Sequence, residues 1–183
     1  MGHSINRRQF VQAASSTAFA AMSARTALAT DANSTIQVGV MGCGGRGAWI
    51  GNLFQKHANA RIVAVHDYFK DRADSAGEQL GVPANKRYIG LDGYKQLLAD
   101  GGVDAVAVIS PPYFHPEHAI AALEAGKHLY LAKPIAVDVA GCHAIVAAAE
   151  KSNGKVSMLV DFQTRANDFY KEAVRRVHEG AIG

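Results

Sequence analysis

The sequence predicts an α/β chain built on a doubly wound parallel sheet. Strand-like and helix-like runs alternate from Ile36 to the end of the chain. The run Asp104 to Ile109 is almost continuously apolar, as a strand buried on both faces must be. The first apolar run, Ile36 to Met41, opens directly into Gly42-Cys43-Gly44-Gly45-Arg46-Gly47. Gly42, Gly44 and Gly47 give the G-x-G-x-x-G spacing, in which the first glycine allows a tight turn, the second lets backbone approach a pyrophosphate and the third lets a helix press on the strand. The helix that follows points its free N–H groups at the phosphates. Asp67 stands 20 residues past Gly47, at the end of the second apolar run, where a carboxylate accepts hydrogen bonds from the adenosine ribose. A dinucleotide is the expected ligand, with Gly42, Cys43, Gly44, Gly45, Arg46, Gly47 and Asp67 around it. Asp67 repels a 2′-phosphate and favours NAD; Lys70 and Arg72 follow closely and are placed to receive that phosphate, which leaves NADP open.

Each further element follows from its own pattern. After the glycines, Ala48, Trp49, Leu53 and Phe54 lie on neighbouring helical turns, and Arg61 to Asp67 reads as a strand. Lys70 to Leu80 places Ala73, Ala76 and Leu80 on one helical face and stops at Gly81 and Pro83. Arg87 to Ile89 is a short strand, and the next helix turns Tyr94, Leu97 and Leu98 inward before Gly101-Gly102. Ser110 and Pro111 end the fourth strand; Pro112 and Pro116 flank the start of a helix carrying Ala119, Ile120, Ala122 and Leu123. His128 to Leu131 makes a fifth strand and is followed by Ala132-Lys133-Pro134. A helix from Asp138 sets Cys142, Ile145, Val146 and Ala149 at core spacing, and Val156 to Val160 makes a sixth strand. In such a sheet ligands lie beyond the carboxyl ends of the strands, which is where Gly42, Asp67, Pro111 and Lys133 fall. His115 and His118 stand three apart, but no carboxylate or cysteine joins them at ligand spacing; lining of the cofactor site or helix capping is expected, and no metal.

Residues 1–29 read as an export signal. Asn6-Arg7-Arg8-Gln9-Phe10-Val11-Gln12 resembles the twin-arginine pattern, a weakly apolar stretch follows, and Ala27-Leu28-Ala29 offers a cleavage site. That stretch is too short and polar to span a bilayer. Residues 30–35 are a short lead. Export by this route carries folded proteins, so a periplasmic chain can acquire its nucleotide beforehand and needs no disulfides. Cys43 and Cys142 are read as small packing residues. The 183 residues, 49% of them hydrophobic, suffice for one domain with a sizeable core. A formal charge of +3, partly from Arg7, Arg8 and Arg25, gives no support to nucleic-acid binding.

Asp-Ala-Val-Ala-Val-Ile-Ser-Pro-Pro-Tyr-Phe-His from Asp104, with Ala-Leu-Glu-Ala-Gly-Lys-His-Leu-Tyr-Leu-Ala-Lys-Pro-Ile-Ala from Ala122, strongly resembles the glucose-fructose oxidoreductase / inositol dehydrogenase / MocA family. The resemblance covers Ile36 to Gly183. It implies a Rossmann NAD(P)-binding domain over 36–166, followed by a helix, 167–183, that leads to a second, α/β substrate domain missing from this chain. It implies oxidation or reduction of sugars and polyols, and several exported members carry twin-arginine signals. The lysine of the family's Glu-Lys-Pro motif, near the nicotinamide and the reacting hydroxyl, matches Lys133, which makes Lys133 the candidate catalytic residue and proton relay. Ser110, Pro111 and His115 join the cofactor site, and Gln163 and Arg165 resemble polar residues after strand six that face substrate. The Glu of the motif is Ala132 here. The second domain normally supplies the substrate pocket, the catalytic Asp/His partners and the homo-oligomer interface, so this chain alone is expected to lack a complete active site. Two other readings stand beside the oxidoreductase: a dinucleotide-binding module without chemistry, and an NAD-dependent glycoside hydrolase, a branch of the same family whose exported members share a Gly-Gly-Arg-Gly loop.

Overall fold

A computed structural model describes residues 35–182, and from Gln37 onward they form one compact unit. The expected leader, 1–29, lies outside the described residues, as does all of the lead but Thr35. The strands are β1 (Ile36–Met41), β2 (Ala60–Asp67), β3 (Arg87–Ile89), β4 (Ala105–Val108), β5 (His128–Leu131) and β6 (Met158–Val160). Helices α1 (Gly45–His57), α2 (Lys70–Leu80), α3 (Gly93–Ala99), α4 (His115–Glu124), α5 (Val139–Lys151) and α6 (Asp168–His178) alternate with them. All strands pair in parallel, in the order β3-β2-β1-β4-β5-β6. The direction of winding reverses between β1 and β4, the place where a doubly wound sheet opens a crevice at its carboxyl edge.

Side chains alternate across the strands and build a core on each face. Met41, Ala64, Val106, Val108, Leu129 and Leu131 meet α3, α4 and α5 through Leu97, Ala119, Ala122, Leu123 and Ile145. Val38, Val40, Val65 and Ala107 meet α1 and α2 through Ala48, Ala76 and Leu80. The expected inward faces of α2 and α3 are therefore buried. On α1, Trp49 is 51% exposed, and Ile50, together with Ala48, faces inward instead. On α5, Ile145 and Ala148 are buried, Cys142 and Ala149 are half-buried, and Val146 is exposed, because the covered stripe is narrower than the apolar one. Strand β6 spans three residues rather than the five expected. Helix α6 stands apart from this core: none of its residues is buried, and Phe169, Tyr170, Val174 and Val177 are exposed. No helix among the described residues is long and apolar enough to cross a membrane.

Candidate functional site

The glycine turn joins β1 to α1 at the crevice. Gly42 has a φ of +94°, and a Cβ there would stand 2.5 Å from the Ser110 nitrogen. A Cβ on Gly47 would lie 1.8 Å from the Gly42 carbonyl oxygen, so only glycine lets α1 start this close to the turn. Gly44 and Gly45 differ: a Cβ at either meets nothing within 4 Å, which leaves open space over the turn. Helix α1 begins there without a side-chain cap and without an acidic residue in its first turn. Its first N–H groups and the positive end of its dipole are available to an anion.

Asp67, 7% exposed at the end of β2, ties this turn to the next one. Its Oδ2 accepts the Cys43 N–H at 2.7 Å and its Oδ1 accepts the Phe69 N–H at 2.9 Å. Each carboxylate oxygen keeps a second lone pair, so both bonds are compatible with accepting from a ligand hydroxyl. The Cys43 thiol is pushed up to about 12 by burial, then by the Asp67 charge, while its bond to the His66 carbonyl pulls the other way. It is a packing group, as expected, and no nucleophile.

Beside Asp67 a cavity of about 360 Å³ opens between Tyr68, Phe69 and Leu91 on one side and Ser110, Pro111 and Phe114 on the other. Two buried histidines line it. His66 Nε2 lies 2.9 Å from the Gly90 carbonyl, so that nitrogen donates and Nδ1 is left as an acceptor, buried without a partner among the described residues. His118 Nδ1 lies 3.0 Å from Ser110 Oγ. Burial, then the neighbouring His66 and His115, lowers His118 to about 4; burial lowers His66 in the same direction. A second, wider cleft of about 750 Å³ runs from Gly44 and Gly45 past Trp49 to Arg72 and Ser75. Arg72 stacks its guanidinium 4.8 Å from the Phe69 ring centre and borders both spaces.

The neighbouring strand ends stand level with the turn. The Ile109 N–H donates to Met41 O at 2.7 Å, Ala132 N–H to Val108 O at 2.9 Å and Asp161 N–H to Leu131 O at 2.9 Å. Lys133 therefore leaves β5 at the height of Gly42, two strands or about 10 Å across the sheet. It is exposed, with no hydrogen bond or ion pair to the described residues, and its peptide bond to Pro134 is cis. Ala132, where the family motif has a glutamate, is buried against the sheet.

Two expected cofactor residues have other partners. Arg46 does not lie free along the glycine turn: its guanidinium pairs with Asp161 and reaches Gln163 Oε1 at 3.4 Å, while standing 5.7 Å over the Trp49 ring. His115 does not line the crevice, being 1% exposed with both ring nitrogens engaged by backbone carbonyls. Arg165 is exposed and covers the Phe162 ring. Asp161, 8% exposed, was not singled out from sequence. It also accepts from Tyr130, whose hydroxyl burial and the Asp161 charge push up. Its signal is a carboxylate directly after an apolar run, the same one that marks Asp67. Among the described residues no three His, Cys, Asp or Glu side chains are grouped to hold a metal.

Residues 36–160 match the family described as an oxidoreductase family with an NAD-binding Rossmann fold, Gfo/Idh/MocA. Inositol 2-dehydrogenase 3 of Saccharopolyspora erythraea is 39% identical over 150 residues, which are 81% of this chain and 42% of that protein. Among solved structures, scyllo-inositol dehydrogenase from Lactobacillus casei, with bound NAD(H) and scyllo-inositol, aligns with a TM-score of 0.70 at 27% identity, over 81% of this chain and 42% of the other. Aldose-aldose oxidoreductase from Caulobacter crescentus, complexed with glycerol, aligns with a TM-score of 0.69 at 28% identity, over 81% and 44%. The chain thus spans less than half the length of the relatives it matches. With the glycine turn, the acid-ended second strand and the strand order in agreement, this chain belongs to the Gfo/Idh/MocA oxidoreductase family and carries its NAD-binding Rossmann domain.

Proposed function

We propose that this chain is the dinucleotide-holding part of an oxidoreductase that oxidises a CH–OH group of a polyol or sugar-like substrate, with Lys133 handling the proton. The observation that carries the reading is the convergence at one sheet edge of an uncapped helix start over open glycines, a carboxylate-ended strand, an apolar slot and an exposed lysine two strands away. NAD fits these residues. Gly44, Gly45 and the first N–H groups of α1 take the pyrophosphate, and Asp67 takes the ribose hydroxyls. The slot between Phe69 and Pro111 takes the adenine.

When bound, NAD supplies a two-electron acceptor for the carbinol hydride. Lys133 Nζ exchanges the proton of the substrate hydroxyl, and Ala132 leaves that lysine without the family's adjacent carboxylate. The substrate class is carried over from the inositol dehydrogenases and the aldose oxidoreductase, which this chain matches over less than half their length. Assays of the protein encoded by the whole gene against a panel of inositols and aldoses test it. NAD reduction that Lys133→Ala lowers at least about 100-fold, the range of a lost general acid–base, is expected. Wild-type rates in the variant contradict the role of Lys133.

Export is part of the same reading. Its support is Arg7-Arg8 ahead of Ala27-Leu28-Ala29, and cleavage there leaves Thr30 as the mature terminus. N-terminal sequencing of periplasmic material checks it, and a mature chain that still carries Arg7-Arg8 refutes it.

A further inference from the structure

His115 opens α4 and is buried to 1% exposure, an unusual place for an imidazole at the rim of a cofactor crevice. Its Nδ1 lies 2.8 Å from the Pro134 carbonyl oxygen and its Nε2 lies 2.8 Å from the Ser110 carbonyl oxygen. Carbonyls only accept, so each contact takes an N–H from the ring: a ring with one N–H donates to one of the two segments, and a ring with both nitrogens protonated donates to both. Pro134 and Ser110 belong to the chains leaving adjacent strands, β5 and β4. The ladder between those strands ends with Ala132 N–H to Val108 O; past it, no backbone hydrogen bond joins 109–114 to 133–138. His115 supplies that missing link with its side chain. One end of the link is the residue whose amide nitrogen bonds to Lys133, and the other is the floor of the apolar slot.

We propose that His115 is a positioning residue, a clasp that fixes the Lys133-Pro134 segment relative to the Ser110-Pro111 turn and so sets Lys133 against the nicotinamide half of the cofactor. This rests on the reading of Lys133 given above. Being buried with both nitrogens committed, His115 touches neither cofactor nor substrate and acts only through Lys133.

The two arms can be separated. In Asn the amide nitrogen sits where Nδ1 is, so His115→Asn keeps a donor to Pro134 O and loses the Ser110 arm. In Gln it sits where Nε2 is, so His115→Gln keeps the Ser110 arm and loses Pro134 O. The probe is trace acetylation of Lys133 by acetic anhydride in the presence and absence of NAD, read by mass spectrometry. ADP-ribose, which lacks the nicotinamide, is the control ligand, and its affinity and the melting temperature are measured for each variant.

NAD is expected to shield Lys133 in the wild type and to lose about fivefold of that shielding, the weight of one hydrogen bond, in His115→Asn and in His115→Gln, since loss of either arm opens the clasp, with ADP-ribose affinity within about twofold throughout. Should His115→Gln be too unstable to assay, His115→Leu fills the volume, donates nothing and repeats the expected loss. Equal shielding in all variants overturns the clasp and leaves the Lys133 reading standing. Parallel losses of shielding and of ADP-ribose affinity also overturn it, since they describe a purely structural histidine. Absence of shielding in the wild type overturns the reading of Lys133 itself, and the clasp with it.

Discussion

Asp67 holds two backbone N–H groups, from Cys43 in the glycine turn and from Phe69 ahead of α2, so its carboxylate builds the crevice as well as facing it. Asp67→Ala therefore has two effects: it removes the acceptor for a ribose diol, and it frees the turn on which both NAD and NADP depend. Both cofactors weaken, NAD by about 1.5–3 kcal/mol for the charge-assisted bonds. NADP weakens less, because a repulsion at its 2′-phosphate goes as well. Calorimetric titration of wild type and variant with each cofactor checks this, and equal losses mean that Asp67 does not select.

His118 gives a pH dependence of definite sign. Its folded value of about 4 is depressed below 6.5, so between those values the unfolded chain binds a proton that the fold refuses. Stability is then full above pH 6.5, falls as pH drops towards 4 and is steady below, on the order of 3 kcal/mol in all. His66 adds to the same fall. Urea denaturation at pH 7, 6 and 5 reads the slope, which His118→Asn flattens; an unchanged slope contradicts the assignment. The environments of His66, His118 and His115 were not legible in the sequence. The partners of His115 stand 5 and 19 residues away, and a histidine beside prolines at a helix start gives no sign of facing inward. Asp67 was legible because its partners are set by a local motif of fixed spacing.

At the scale of elements, the glycine turn separates fold from ligand. Gly47→Ala drives a Cβ into the Gly42 carbonyl and removes the close start of α1, so loss of stability is expected, above about 3 kcal/mol, as for other severe backbone clashes. Gly44→Ala meets open space at a φ of −64°, which alanine adopts freely, so its melting temperature stays within about 2 °C of wild type. Yet its methyl group occupies the space proposed for the pyrophosphate, and NAD affinity falls. Melts and titrations of both variants check the contrast. Helix and strand periodicity located these elements because the sheet is buried on both faces, which makes the apolar pattern obligatory. Periodicity failed for Trp49 and Val146, because an apolar stripe does not tell which part of it a neighbouring element covers.

For the molecule as a whole, strand order decides function. The order β3-β2-β1-β4-β5-β6 brings the ends of β1, β2, β4 and β5 to one edge, so residues as distant in sequence as Asp67 and Lys133 flank one crevice. Alternating strand and helix patterns indicated a parallel sheet, but the link from Arg46 across to Asp161 joins residues 115 apart and needed the folded chain to be seen. The claim on which everything else depends is that the chain from Ile36 to Ile182 holds NAD(H) in that crevice by itself. Fluorescence titration of the 183-residue chain with NADH, alongside Gly44→Ala, tests it most directly. Saturable one-to-one binding is predicted, weakened at least about tenfold, or 1.4 kcal/mol, in a variant that melts like wild type. Absence of binding, or wild-type affinity in Gly44→Ala, would contradict it.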